Sequence, residues 1–240
     1  MKKVILPFVA AATLIASFGF VASGPCDDNM MFVKGTVSKT GYYKGDGTQT
    51  GTGTSTVKDV TTSGDSTIAT LETSYADVKK PDEPRGGTMR FICVNGKIIM
   101  DMSGLIASMT GGAKGMTMEM TGNLVPYKTS YTAGEKLDDV HVLVKTFSNG
   151  QLMMTTNVDI TNRVCDAVED KKVPAGTYHT YKISETTSTT TEMHGMKMPG
   201  GGARKSVQWF SPTAGVVRLE SYDGDKISSY NELLSLQKPQ

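Results

Sequence analysis

Seven side chains, six methionines and a histidine, fall in two short runs that could bind a metal. Met116, Met118 and Met120 alternate in a five-residue MTMEM run, and Met193, His194, Met196 and Met198 cluster in MHGMKM. Thioether sulfur and imidazole nitrogen are soft ligands of the kind that select copper(I). Alternate residues of a strand point to one face about 7 Å apart, so the first run meets part of that geometry. The simpler reading is that these flexible side chains fill a β interior or line an adaptable apolar groove. On that reading Met116, Met118, Met120, Leu152, Met154 and Trp209 would line a cavity for an apolar or lipid-like molecule.

Catalysis finds little support. His141, His179 and His194 are the only histidines, and the first two sit in strand-like runs. There is no G-x-S-x-G elbow, H-E-x-x-H pair or G-x-x-x-x-G-K-[ST] loop. The Gly45–Gly53 stretch has no phosphate-binding spacing, and Asp223-Gly-Asp225 lacks the remaining oxygens of a calcium loop. No cofactor is implied, and the chain is expected not to be an enzyme.

These residues are carried on strands. The 240-residue chain holds 26 glycines and a net charge of +1, and no run of basic residues offers a nucleic-acid patch. Asn95-Gly96 and Asn149-Gly150 each lie between alternating apolar runs, the strongest short hairpin signal. Asp223-Gly224 reads as a third hairpin. Lys79–Gly87 (KKPDEPRGG) reads as a loop, because its prolines and glycines oppose a ladder. Thr48–Val60 is Thr, Gly and Ser with little to bury, suited to an edge strand or a loop. Ser103–Thr110 carries apolar residues at helical spacing and reads as one short helix plugging an open end. Thr186–Gly202 is the most loop-like stretch. Turns every 8–14 residues indicate an all-β fold, a single antiparallel β-barrel-like or strongly curved meander sheet with one short helix.

Met1–Ser23 has the basic start, apolar stretch and small-residue end of a cleaved export signal. It leaves one domain over residues 24–236 in the periplasm or outer envelope, with any membrane attachment peripheral or through a lipid on Cys26. An oxidising compartment favours a disulfide, expected as Cys26–Cys93, with Cys165 left as a buried thiol.

The order of short motifs resembles the TapB-like family, exported β-rich proteins of Gram-negative bacteria with a domain of unknown function. The matching pieces include Cys93-Val-Asn-Gly leading to Met100-Asp101-Met102, Gly115-Met-Thr-Met-Glu-Met, Ile160-Thr-Asn-Arg163, Val173-Pro-Ala-Gly-Thr177, His194-Gly-Met-Lys-Met198 and Trp209-Phe210. The resemblance implies a β-barrel-like envelope protein and transfers no catalytic residue. Three functions follow as expectations: a barrel binding an apolar envelope molecule, a structural or protein-interaction module of the envelope, or a copper-binding periplasmic protein.

Overall fold

The computed structural model describes residues 26, 28–101, 104, 116–122, 126–199 and 202–239. The export signal and nearly all of the expected helix over Ser103–Thr110 lie outside them. The described residues build one antiparallel sheet of fourteen strands. They are β1 (Val37–Lys44), β2 (Gln49–Ser63), β3 (Ser66–Asp77), β4 (Lys80–Val94), β5 (Lys97–Asp101), β6 (Met116–Gly122), β7 (Pro126–Lys128), β8 (Val140–Ser148), β9 (Gln151–Val173), β10 (Gly176–Met193), β11 (Met196–Lys197), β12 (Ala203–Ser211), β13 (Gly215–Asp223) and β14 (Lys226–Gln237).

The spatial order is β6-β8-β9-β10-β12-β13-β14-β1-β2-β3-β4-β5-β7, with β11 paired to β10. This corrects the barrel expectation. The order has two ends, β6 and β7, and among the described residues no ladder joins them, so the sheet is open. A closed barrel needs every strand paired on both sides. The expectation went astray because hairpin signals fix which neighbouring strands pair and say nothing about whether the first and last edges meet.

The turns obey local chemistry. Asn95-Gly96 and Asn149-Gly150 both adopt positive φ at each residue, as a two-residue hairpin turn of matching twist requires. At the third site the turn residues are Gly224-Asp225, since Asp223 pairs with Lys226; only Gly224 has positive φ there. His194-Gly195 forms a further hairpin of the Asn-Gly kind, with Met193 opposite Met196. Thr186–Met193, read as loop, is instead the second half of β10. Threonine has the β-branched shape that suits a pleated surface; β9 pairs along the whole stretch, β12 reaches Ser188, and β11 pairs with Glu192 and Met193.

Two further stretches expected to be loops or edges are strands within the sheet. β2 lies between β1 and β3. Its glycines make room for aromatic rings: a Cβ at Gly53 would stand 3.1 Å from the Tyr42 ring, and one at Gly51 would clash with Tyr75. The Tyr42 and Tyr75 rings meet edge to face at 5.3 Å, covering surface that glycine leaves bare. The proline-rich Lys80–Gly87 half of β4 pairs with β3 only, because β5 reaches just Arg90–Val94. Proline is tolerated where the missing N–H would have faced an open side.

One core cluster gathers residues from both halves of the sheet: Val57, Leu71 and Ile98 from one half, and Cys165, Tyr181, Ile183 and Phe210 from the other. Tyr127 stacks on Phe210 at 4.6 Å, and Tyr131 meets Tyr181 edge to face at 5.1 Å. Cys26 is disulfide-bonded to Cys93. The N-terminal 3₁₀ turn Met30–Phe32, capped by Asn29, is held against the β12–β13 turn, where the Met30 N–H donates to the Thr213 carbonyl at 2.8 Å. Cys165 is a buried free thiol, and burial pushes its pKa up.

Candidate functional site

Strand alternation sets Glu185, Thr187 and Thr189 on one face of β10. The registers place Ser206 opposite Glu185, Arg204 opposite Thr187, and Ser221 opposite Ser206. Together with Leu219 these residues line a cleft of about 390 Å³ over β10, β12 and β13. The lining is hydroxyl and charge with a single large apolar contributor, Leu219. A second cleft, of about 590 Å³, lies beside the same end of β12 and is lined by Thr186, Arg204, Lys205, Tyr222, Asp223 and Ser228. The first turn of β12 therefore forms a polar ridge with a cleft to either side.

The first cleft ends on a buried network. Glu185 accepts hydrogen bonds from Ser206 Oγ (3.4 Å), Gln208 Nε2 (3.3 Å) and Arg163 Nε (3.3 Å). Arg163 also donates through Nη1 to the Asp138 carbonyl at 2.9 Å, and the Tyr127 hydroxyl donates to Gln208 Oε1 at 2.9 Å. Burial, with the charge of Glu185 adding, pushes the Tyr127 phenol far above its ordinary value. Glu185 accepts two hydrogen bonds at Oε2 and one at Oε1, and so orients Arg163, Gln208 and Ser206.

The opposite face carries a second network. Trp209 donates from its indole N–H to Glu169 Oε1 at 2.6 Å. Arg218 bridges Glu220 (2.7 Å) and Glu232 (2.6 Å), and Tyr222 donates to Glu220 at 2.6 Å. Burial raises the Glu220 carboxyl, but the bonds from Tyr222 and Arg218 outweigh it and hold the group below its ordinary value. Trp209 itself packs with Val173, Val207, Val217 and Leu233. The tip of the β9–β10 hairpin closes this cluster, the Ala175 N–H donating to the Leu233 carbonyl at 3.2 Å.

The methionines occupy a different region. Met116, Met118 and Met120 lie half-buried along β6. The register runs Met118–Thr146–Met154–Met193 in a single row across β6, β8, β9 and β10. Met118 and Met193 thus share a face but stand three strand spacings apart, about 14 Å. Met196 and Met198 are 69% and 44% exposed, and His194 sits in the turn between β10 and β11. The two methionine runs are therefore not brought together, and the copper reading, which needed them within a few ångströms of each other, fails. Among the described residues no group of three His, Cys, Asp or Glu side chains could hold a metal ion.

The apolar-ligand reading is corrected as well. Leu152 is 48% exposed, and Trp209, on β12, lies four strand spacings from Met118, about 19 Å. Where a barrel lumen would be, the stacked rings of Tyr127, Phe210, Tyr131 and Tyr181 fill the space. The two clefts beside β12 lie apart from those rings and are lined mainly by Thr, Ser and charged residues, whose methyl and methylene groups supply about as much of the lining as their polar atoms. Sequence reading passed over Arg163 and Glu185, the two residues that organise the cleft. Each is one charge among several on a strand rich in polar residues, a pattern that reads as solvent-facing; Arg163 also ends the Ile160-Thr-Asn-Arg163 motif.

The family model described as DUF3108-like matches residues 33–233, which covers the whole sheet save its last strand's end. No curated protein matches the sequence. Two crystal structures share the fold. A candidate lipoprotein of Parabacteroides distasonis superposes with a TM-score of 0.66 at 20% identity, covering 86% of this chain and 96% of that one. A candidate exported protein with a YmcC-like fold, from Bacteroides fragilis, gives 0.62 at 19% identity, covering 85% and 96%. The TapB-like resemblance therefore holds at the coarser level of a β-rich domain of unknown function, and the family model that matches is a different one.

Proposed function

The chain belongs to the DUF3108-like family, and on that premise we propose that it is an exported, non-catalytic structural or protein-interaction module of the bacterial envelope. The observation that carries the reading is the polar cleft over β10, β12 and β13. Its floor is hydrogen-bonded sheet, its polar groups are spaced at strand intervals, and its carboxylate is paired with Arg163. Such a surface suits an extended polypeptide segment, whose backbone and small side chains offer donors and acceptors at the same spacing. Leu219 is the one large apolar side chain on its lining, which gives a lipid tail little to pack against.

Export is supported by the leader-like Met1–Ser23 and by a disulfide of the kind that persists in oxidising compartments. The words lipoprotein and exported, attached to the two structures of similar fold, point the same way. A lipid thioether on Cys26 would need the sulfur that is bonded to Cys93. We therefore place any membrane association with a partner protein or a peripheral contact.

The test is photo-crosslinking in intact envelopes, with the photoreactive residue at Thr187 in the cleft and at Lys58 on the exposed part of β2. The reading expects a discrete protein adduct from Thr187 that Ser221→Trp, which fills the cleft, abolishes. No adduct from Thr187, or the same adducts from both positions, would overturn it.

A further inference from the structure

An open sheet leaves rows of unpaired backbone N–H and C=O groups, and proline and charge on such an edge keep a second strand away. Among the described residues, β4 pairs on one side only along residues 80–87. That half holds Pro81 and Pro84 among the charges of Lys80, Asp82, Glu83 and Arg85. β9 beyond Cys165 pairs with β10 alone, and residues 166–173 carry two lysines and three carboxylates. β7 begins with Pro126 and ends with Lys128.

The edge at β6 is built differently. Its sequence, Met-Thr-Met-Glu-Met-Thr-Gly, has no proline and no lysine. It stands at one end of the strand order and pairs with β8. Met116, Met118 and Met120 are half-buried on one face, while Thr117 and Glu119 on the other are exposed. Glu119, its single charge, lies opposite Lys145 of β8, an opposite-charge pair that supports the ladder.

The sequence of this strand is complementary to itself. Two copies paired antiparallel about a two-fold axis at Met118 set Met118 opposite Met118 of the partner subunit. Met116 then faces Met120 of the partner subunit, and Thr117 faces Glu119 of the partner subunit. All the methionines fall on one face, with cross-strand Cβ atoms about 4.5–5.5 Å apart, within reach of flexible thioether side chains. Each Glu119 meets a hydroxyl across the axis and keeps Lys145 of its own chain behind it. An axis at Glu119 would set two carboxylates face to face, which destabilises a ladder. An axis at Met120 would set Met118 against Gly122 of the partner subunit, which offers no side chain to pack.

We propose that β6 is a dimerisation edge that pairs with β6 of a second copy about a two-fold axis at Met118. The contact is isologous and uses up the same edge on both chains, so assembly stops at two. β10 lies three strand spacings away, and the inference therefore goes beyond the polypeptide cleft and does not depend on it.

The test is sedimentation velocity of the full protein over a range of concentrations, where a monomer–dimer equilibrium is expected. Met118→Lys brings two ammonium groups together at the axis and should raise the dimer Kd at least about tenfold, 1.4 kcal/mol, with the unfolding midpoint showing that the fold is kept. Met118→Cys keeps the falsifying power if the lysine variant does not fold. Under a mild oxidant it should give a disulfide-linked dimer, because only a residue at the axis meets its own copy within disulfide reach. Thr121→Cys, about 20 Å from its own copy in this register, should give none. A monomer at every concentration, a dimer indifferent to Met118→Lys, or equal crosslinking from both cysteine variants would overturn the proposal.

Discussion

Lys171 Nζ stands 3.6 Å above the centre of the Trp209 ring. Burial and the nearby Arg218 charge lower the Lys171 pKa, so the ammonium holds this position against an unfavourable local field. Lys182 approaches the same ring less closely, at 5.6 Å. Lys171→Ala is expected to destabilise the protein by about 1 kcal/mol, the range of a partly desolvated cation–π contact, and Lys182→Ala by clearly less. Chemical denaturation followed by far-ultraviolet circular dichroism measures both. Trp209 is the sole tryptophan, so its emission should shift in the first variant and stay nearly constant in the second.

Glu185 compensates a buried cation. Glu185→Ala would leave the Arg163 guanidinium with only the Asp138 carbonyl inside the fold. Removing one partner of a buried ion pair costs about 3–5 kcal/mol, and that is the loss expected in the unfolding free energy. Glu185→Gln keeps an acceptor for Arg163 and should cost less. Equal losses in the two variants would mean that shape, and not charge, is what Glu185 supplies.

The disulfide closes a loop with a sequence separation of 67. Chain entropy puts the stabilisation from such a loop at about 4 kcal/mol. The Cys26→Ser/Cys93→Ser variant should lose about that much, and reductant should bring the unmodified protein to the same denaturation midpoint. Cys165, buried in the core, should resist thiol reagents in the folded state of both.

Alkaline pH should weaken the fold. Burial, then the bond to Glu220, pushes the Tyr222 phenol up to about 12, and burial holds Tyr131 at about 12 as well. Their ordinary value is 10.0. A pKa raised on folding means that the native state keeps its proton longer. The stability this represents is complete below pH 10 and is lost as pH rises from 10 towards 12. Lys171, with a lowered pKa, works in the opposite sense. The protein should therefore unfold as pH rises from 10 towards 12, followed by far-ultraviolet circular dichroism, and Tyr222→Phe should shallow that alkaline limb.

Acid acts through Glu220. Its carboxyl lies below the ordinary 4.5 in the folded protein, so the unfolded chain takes up the proton first as pH falls. The stability from this group is present above pH 4.5 and disappears as pH drops through the lower folded value. Glu220→Gln should flatten that part of the acid-denaturation curve. An unchanged curve would show that Arg218 and Tyr222 do not hold this charge.

What the sequence determined by itself was local. Asn95-Gly96 and Asn149-Gly150 specify their hairpins because positive φ at two successive residues is available to few pairs. Alternation in Met116–Met120 specifies a strand, since a period of two has no helical counterpart. Where local signals conflicted, tertiary partners decided. Thr186–Met193 is a strand because β9 pairs along its whole length, with β12 and β11 on parts of its other side, and the prolines of β4 are tolerated because, among the described residues, no strand pairs with its outer side there. The openness of the sheet was beyond the sequence, since closure depends on whether β6 and β7 meet, and no turn between neighbours encodes that. The site was equally hidden. Arg163 and Glu185 sit on different strands and look like surface charges in the chain; only the packing of Tyr127 and Gln208 over them removes water and makes each the other's partner.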